Sequence, residues 1–438
     1  MCQPTSAPTG DDVFWRPGGS VENVKKTNAD LYKPEVHKLI EKRIAELDSE
    51  LRSLSIDIHD HPEIKFEERR THDVLSQYMK EKGWEVTTHY LLETAWVAKF
   101  THGKGGRTLG VNSEMDALPG IGHACGHNLI AISGVAVALA VRTVLEEFDI
   151  PGTIVLLGTP AEEGGHGKVT LLEKGGYEGM DVCVMCHPAP GPPSSASLSS
   201  TLAINQITAE FHGQTAHAAL APWEGRNSLD AAVSAYLNVS MLRQQLKPTY
   251  RVHTALVGRD WAPNIIPDYS QLQYLVRAPT TAEVKETVPR VRACLDAAAL
   301  ATATKIEYLE SGHALDEVRQ NKALGDEFAH VFTSKYGEID YKYGIKNAST
   351  DFGNVTYALP AIHPSFAIPT VAGGANHTRE FAKSAAAPEA HQATLNVSVA
   401  LAAVGFRVLD DDDFFNNVKK TFEEESKVAK AQLAAASK

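Results

Sequence analysis

The sequence predicts an α/β protein in which a domain with a mainly parallel sheet is interrupted by a smaller, inserted α+β domain of ferredoxin-like type. Three observations carry this reading. Over the first part of the chain, short and nearly continuous apolar runs alternate with helical patterns, as in a parallel sheet covered on both faces. After the Pro- and Ser-rich stretch "PAPGPPSSASLSS" at 188–200 the order becomes strand, helix, strands, helix, strand, which suits helices on one face of an antiparallel sheet. Beyond about Ala314 the first texture returns. The expected organisation is an arm over 1–30, a discontinuous larger domain over 31–201 and 313–438, and an inserted domain over 202–312.

The elements follow in order. The first 30 residues are rich in Pro, Gly, Ser and Asp and read as a poorly ordered arm. Pro34–Arg52 and "EERRTHDVLSQYMKEKG" place apolar residues at helical spacing, the second ending on a Gly. "WEVTTHYL", "AWVAKF" and "TLGVNSEM" read as strands, and "NLIAISGVAVALAVRTVLEEF" as a long apolar helix. "TIVLLGTP", "VTLLEKGG" and "DVCVMCHP" supply strand, helix and strand, with 188–200 as a linker. In the insert, "LAINQITAEFHG", "RVHTALVG" and "SQLQYLVRA" are strands, and "SLDAAVSAYLNVSMLRQQL" and "AEVKETVPRVRACLDAAALAT" are helices. The return supplies an amphipathic helix, the strand "IHPSFAI" and an Ala-rich helix, and the tail from Asp410, with four consecutive Asp, reads as a solvated end.

Composition narrows the function. The 438 residues are 43% hydrophobic and 22% charged, and their net charge of -12 does not suit a nucleic-acid binder, which needs clustered Lys and Arg. Small molecules are the expected partners. No run of 18 apolar residues calls for a membrane, and the start lacks a basic segment followed by an apolar one, so the expected location is cytoplasmic. Five scattered cysteines fit a reducing compartment. "CVMCH" at 183–187 matches the haem-attachment spacing, but it lies in a run that reads as a buried strand, which makes Cys183 and Cys186 core residues.

Metal-ligand side chains gather where strands end. In open α/β sheets, sites form outside the carboxyl ends of the strands. The strand before Glu114 and Asp116 leads into "HACGHN" at 123–128, "TIVLLGT" leads into Glu162 and Glu163, another strand ends at His187, and "VAGGANHTREF" carries His377. Cys, His, Glu and Asp thus converge on one sheet edge. "EEGGHGK" is no phosphate loop, because Glu162 stands where its first Gly belongs and Val169 follows Lys168. His123, His166, His212 and His363 are set aside as surface or satisfied histidines.

"IHDHPEIKFEE" (58–68), "SEMDALPGIGHACGHN" (113–128), "GTPAEEGGHGK" (158–168), "CHPAPG" (186–191), "FHGQTAHAALAPWEGRNSLDA" (211–231), "NIIPD" (264–268) and "STDFGNVTYALPAIHPSF" (349–366) occur in this order. Together they resemble the M20 metallopeptidase family, in particular its amidohydrolase and aminoacylase-like branch, which includes aminobenzoyl-glutamate and indoleacetyl-amino-acid hydrolases. The resemblance spans about residues 35–405. It implies two Zn²⁺ ions per chain, held by Cys125, His127, Glu163, His187 and His377, with donors that also admit Mn²⁺ or Co²⁺. It makes Glu162 the general base in cleavage of a small N-acyl amino acid or dipeptide-like amide by metal-activated water. The inserted domain becomes a lid and dimerisation domain, with His217 facing the substrate, Asn264 and Arg277 contacting its carboxylate, and a homodimer as the assembly. Two departures stand out: Asn128 replaces a common Asp, and Glu114-Met115-Asp116 replaces the family's His-x-Asp, which leaves Asp116 as support for the ligands and Glu114 outside them. The same residues would serve an amide-forming or acyl-transfer enzyme, and a catalytically silent binding protein would keep the fold alone.

Overall fold

The computed structural model describes residues 31–309, 312–340 and 348–436, so the arm read over 1–30 lies outside the described residues. Pro34, whose fixed φ suits a first helical turn, starts α1 (Pro34–Asp60). Val36, Ile40, Ile44, Leu47 and Leu51 bury one stripe, which Ser55 and Ile58 extend past the expected end at Arg52. The helix stops before Pro62, whose ring disfavours helical backbone at His61. α2 (Arg69–Glu81) buries Leu75 and Met79 and gives way at Gly83, which takes a φ of 78°.

Strands β1 (Glu85–Thr88), β2 (Trp96–His102) and β3 (Arg107–Glu114) lead to α3 (His127–Glu147) and β4 (Gly152–Thr159). A single distorted turn, α4 (Glu162–Gly165), then precedes α5 (Gly167–Glu173) and β5 (Val182–Val184). β3 runs parallel to both β4 and β5, and Glu114 and Thr159 are register partners at one edge. The segment read as a linker is instead ordered as β6 (His187–Pro190) and β7 (Ser195–Ser197). β6 tolerates its two prolines because it is an edge strand, where missing N–H donors cost no ladder bonds.

Leu202–Glu317 forms a second compact unit. Its β8 (Ala203–His212), α6 (Ser228–Leu242), β9 (Arg251–Gly258), β10 (Tyr269–Ala278), α7 (Thr281–Ala301) and β11 (Lys305–Leu309) build an antiparallel sheet of order β11-β8-β10-β9, a ferredoxin-like arrangement. Asn227 and Thr280 cap the two helices through their side chains. The unit reaches Glu317, beyond residue 312, because Leu315 exchanges backbone hydrogen bonds with Ile204.

The larger unit resumes at Val318 with α8 (Lys322–Lys335), β12 (Glu338–Ile339), α9 (Phe352–Ala358), β13 (Ala361–Ile362), β14 (Ser365–Ile368), α10 (Arg379–Ala385) and α11 (Pro388–Asp410). The expected strand "IHPSFAI" is two strands in two sheets: β13 joins β1-β2-β4-β3-β5, and β14 joins β12, β7 and β6. The switch falls at His363-Pro364, where Pro364 has no N–H to give a ladder. α3 and α11, each apolar and long enough to cross a bilayer, are core helices instead, with 89% and 78% of their most apolar windows buried. The acidic tail is not a solvated end. Asp411 accepts from the Phe414 N–H at 3.0 Å, and α12 (Asp412–Ala435) buries Phe414, Phe415 and Val418. Its acidic start suits a helix N-terminus. From Val428 onward this helix groups with the second unit.

Candidate metal centre

β3 ends at Glu114, with Asp116 two residues on, and the chain then turns through 117–126 into α3. Gly126 makes the turn with a φ of 78°, and a Cβ there would lie 2.6 Å from Pro188 Cγ, so this position of "CGH" requires glycine. The turn leaves Cys125 and His127 buried on either side of Gly126. His187, which opens β6 rather than ending a strand, lies with Nε2 3.3 Å from Cys125 Sγ. Its Nδ1 lies 2.8 Å from the Pro188 carbonyl, which places the ring proton there and leaves Nε2 free as a donor to a metal.

The Glu162-Glu163 pair sits after β4, where Ala161 takes a left-handed φ of 57°. Three consecutive N–H groups are held by two carboxylates. Ala161 donates to Glu68 Oε1 at 2.8 Å, Glu162 to Asp116 Oδ1 at 3.1 Å, and Glu163 to Asp116 Oδ2 at 2.8 Å. Glu163 Oε1 lies 3.0 Å from His377 Nε2. His377 itself has a φ of 67°, rare for a residue with a Cβ, and its N–H donates to the Ala124 carbonyl at 2.8 Å, which ties it to the "HACGH" turn.

The five expected ligands therefore come together. Ligand atoms of Cys125, His127 and His187 lie within 4.8 Å of one another, as do those of Cys125, Glu163 and His377, and those of His127, Glu162 and Glu163. His123, His166, His212 and His363 belong to no such set among the described residues, but His123 and His363 are neither surface nor satisfied histidines: both are buried, with both ring nitrogens lacking a well-formed hydrogen bond. The pocket fits a cation on its own chemistry: both ring nitrogens of His127 and Glu163 Oε1 are buried and make no well-formed hydrogen bond. Each His127 nitrogen also faces a carboxylate, Nδ1 at 3.2 Å from Asp116 and Nε2 at 3.4 Å from Glu114. One of these acids can orient the ring while the other nitrogen serves a metal.

The electrostatics divide the glutamate pair. Burial pushes Glu162 well above the carboxylate range, reinforced by Glu163, Glu114 and Asp351 and opposed by Lys168. Burial also acts to raise Glu163, but His377 and His127 outweigh it and hold this carboxylate below its ordinary value. Burial lowers His187 to about 4, so it is neutral and ready to ligate. The two glutamates thus suit different tasks, one carrying a proton and the other remaining an anion.

Several residues of this site were not identified from sequence. Lys168 is fully buried against Glu114 and Asp351, and Glu68 grips the loop at Ala161. In sequence they and Asp351 fall within "EEGGHGK", "IKFEE" and "STDFGN", stretches that assign them no role. In the second unit, His217 and Asn264 are neighbours: His217 bridges to Ile265, and the Ala218 N–H donates to the Asn264 carbonyl at 3.0 Å. Arg277 is not with them. It lies eight residues along β10 from Tyr269, ~25 Å in an extended strand, and pairs in register with Ile204 and Arg251.

Residues 110–401 match Peptidase family M20/M25/M40. The chain belongs to this family. It is an M20 metallo-hydrolase, and its fold and ligand geometry agree with that assignment. Among its M20 relatives, the Xaa-Arg dipeptidase of Mus musculus is 39% identical over 402 residues, covering 87% of this chain and 90% of that protein. A p-aminobenzoyl-glutamate hydrolase chain of Escherichia coli (strain K12) is 30% identical, covering 62% of this chain and 60% of that one. The fold is also that of a Bacillus subtilis dinuclear metal binding peptidase from the M20 family, with TM-score 0.65 and 18% identity over 84% of this chain and 99% of that one.

Proposed function

We propose that this M20 hydrolase cleaves the amide bond of a small dipeptide or N-acyl amino acid, with Xaa-Arg dipeptides the first substrates to try. The observation that carries the mechanism is the overlap of the ligand sets: Cys125, His127 and Glu163 each belong to two of them, which suits two divalent ions side by side, with Glu162 at their rim. The thiol of Cys125 favours Zn²⁺. Ions held by Cys125, His127, Glu163, His187 and His377 would supply a Lewis acid for the substrate carbonyl and would lower the proton affinity of water. Glu162 would take a proton from the attacking water and deliver it to the departing nitrogen, a role that its place beside His127 and Glu163 allows. Asp116 and Glu68 hold the backbone that aims Glu162.

His217 supplies a donor to the oxygen that becomes negative. Its Nδ1 accepts N–H from Ala219 at 3.2 Å and Leu220 at 3.1 Å, so the neutral ring carries its proton on Nε2. The active assembly is a homodimer formed through the second unit. Val233, Tyr236, Leu237 and Met241 line one exposed face of α6, and β9 is an exposed sheet edge. Cytoplasmic residence fits the four described cysteines, all free.

The test pairs Glu162→Gln with Glu163→Gln on purified, metal-loaded protein, with products identified by mass spectrometry. Glu162→Gln should keep its metal and lose on the order of 10²-fold or more in kcat. Glu163→Gln should lose metal. The reverse pattern overturns the division of labour, and a wild-type protein that cleaves none of these amides overturns the substrate class.

A further inference from the structure

Beside the three ligand sets there is a fourth group of acids. Carboxylate oxygens of Glu114, Glu162 and Asp351 lie within 4.8 Å of one another, close enough to hold a metal ion. A cation is already there. Lys168 has no exposed surface, and its Nζ lies 2.7 Å from Glu114 Oε1 and 2.6 Å from Asp351 Oδ1. Asp351 grips the same residue twice, since its Oδ2 accepts the Lys168 backbone N–H at 2.8 Å. Glu114 stands at the end of β3, Glu162 at the start of α4, Lys168 in the first turn of α5 and Asp351 just before α9, so four separate elements deliver this cluster.

Three carboxylates at this spacing, two of them fully buried, repel one another unless a positive charge stands among them. A mobile divalent ion would also meet that need, but it would draw Glu162 into its coordination shell and consume the lone pairs that accept a proton. An ammonium on a tether offers three N–H donors and no vacant coordination position. We propose that Lys168 is a built-in cation that keeps a third metal ion out of the Glu114–Glu162–Asp351 cluster, so that Glu162 carries protons rather than coordinating metal. Lys168 is in this sense a positioning residue. The inference rests on the reading of Glu162 as proton carrier, which Glu162→Gln tests separately by turnover.

Metal stoichiometry gives a readout independent of activity. Lys168→Met keeps most of the buried chain and removes the charge. Loaded with Zn²⁺ and dialysed in parallel with wild type, this variant should retain one more equivalent per chain by elemental analysis and lose on the order of 10²-fold in kcat with little change in KM. Adding Asp351→Asn should return the metal count to that of wild type. A folded Lys168→Met protein with an unchanged count overturns the proposal. Should the variant prove unstable, a thermal melt decides: millimolar Zn²⁺ should raise its Tm by more than it raises that of wild type. Equal shifts, or a chain that stays unfolded with the ion present, overturn the proposal as well.

Discussion

Replacing Glu68 by glutamine should make the protein more resistant to unfolding at alkaline pH and leave it unchanged in mild acid. Glu68 is fully buried, and its carboxyl accepts from Phe66 N–H at 3.0 Å, Ala161 N–H at 2.8 Å and Thr94 Oγ1 at 2.7 Å. Burial dominates these bonds and lifts the group from its ordinary 4.5 to about 7. The sign follows from proton binding. Between these two values the native state holds the proton more tightly than the unfolded chain does, so the group's stabilisation is full below pH 4.5 and is lost as pH rises through 7. The loss is ~3 kcal/mol at 1.36 kcal/mol for each pH unit of separation. Glutamine is neutral at every pH, its oxygen can accept both N–H groups, and its amide can donate to Thr94. Unfolding free energies from urea titrations of Glu68→Gln and wild type should therefore coincide near pH 4 and differ by up to ~3 kcal/mol at pH 8.5. Glu68→Ala instead strands two buried donors, the Ala161 N–H and the Thr94 hydroxyl, each worth roughly 1–3 kcal/mol, and frees the loop that aims Glu162, so kcat should fall while KM holds. A Gln-to-wild-type gap independent of pH, or an Ala variant with the turnover of the Gln variant, would refute this reasoning.

A chelator should abolish turnover, and readdition of Zn²⁺ should restore it; activity indifferent to chelation, in protein without stoichiometric metal by elemental analysis, would remove the metal centre. If His217 serves the neighbouring protomer's site, co-expression of Glu162→Ala and His217→Ala chains should recover about a quarter of wild-type activity, since half the dimers are mixed and each holds one whole site. No recovery in a preparation shown to contain mixed dimers would place His217 with its own chain.

The parts of this protein legible in sequence are those encoded locally. Cys125 and His127 share one short turn, Glu162 and Glu163 are adjacent, and each of these stretches follows an apolar strand, so the rule that sites gather at strand ends is enough to bring them together. His187 and His377 join through short motifs of the same kind. The groups that tune the site are encoded at a distance. Lys168 meets Asp351 across 183 positions and Glu68 meets Ala161 across 93, separations at which no periodicity reports a contact. Burial inverts the usual meaning of such residues as well. A lysine after a glycine-rich loop, or a glutamate at the start of a helix, reads as solvated by default, because charged side chains are rarely fully buried unless paired. The partner that makes the exception is invisible until the fold is drawn.

The misread segments have the same origin. Pro188 and Pro190 argue for a linker, and they do forbid a central strand, but β6 sits at a sheet edge where only one side must pair. The run of aspartates argues for a solvated tail, yet Asp411 spends its carboxylate on the Phe414 N–H, and the phenylalanines that follow it pack down. In each case composition reports correctly what a residue disfavours and is silent about position. Position decides the electrostatics too: Glu162 and Glu163 are identical and adjacent, and only their neighbours, three carboxyls around one and two histidines beside the other, push their proton affinities in opposite directions.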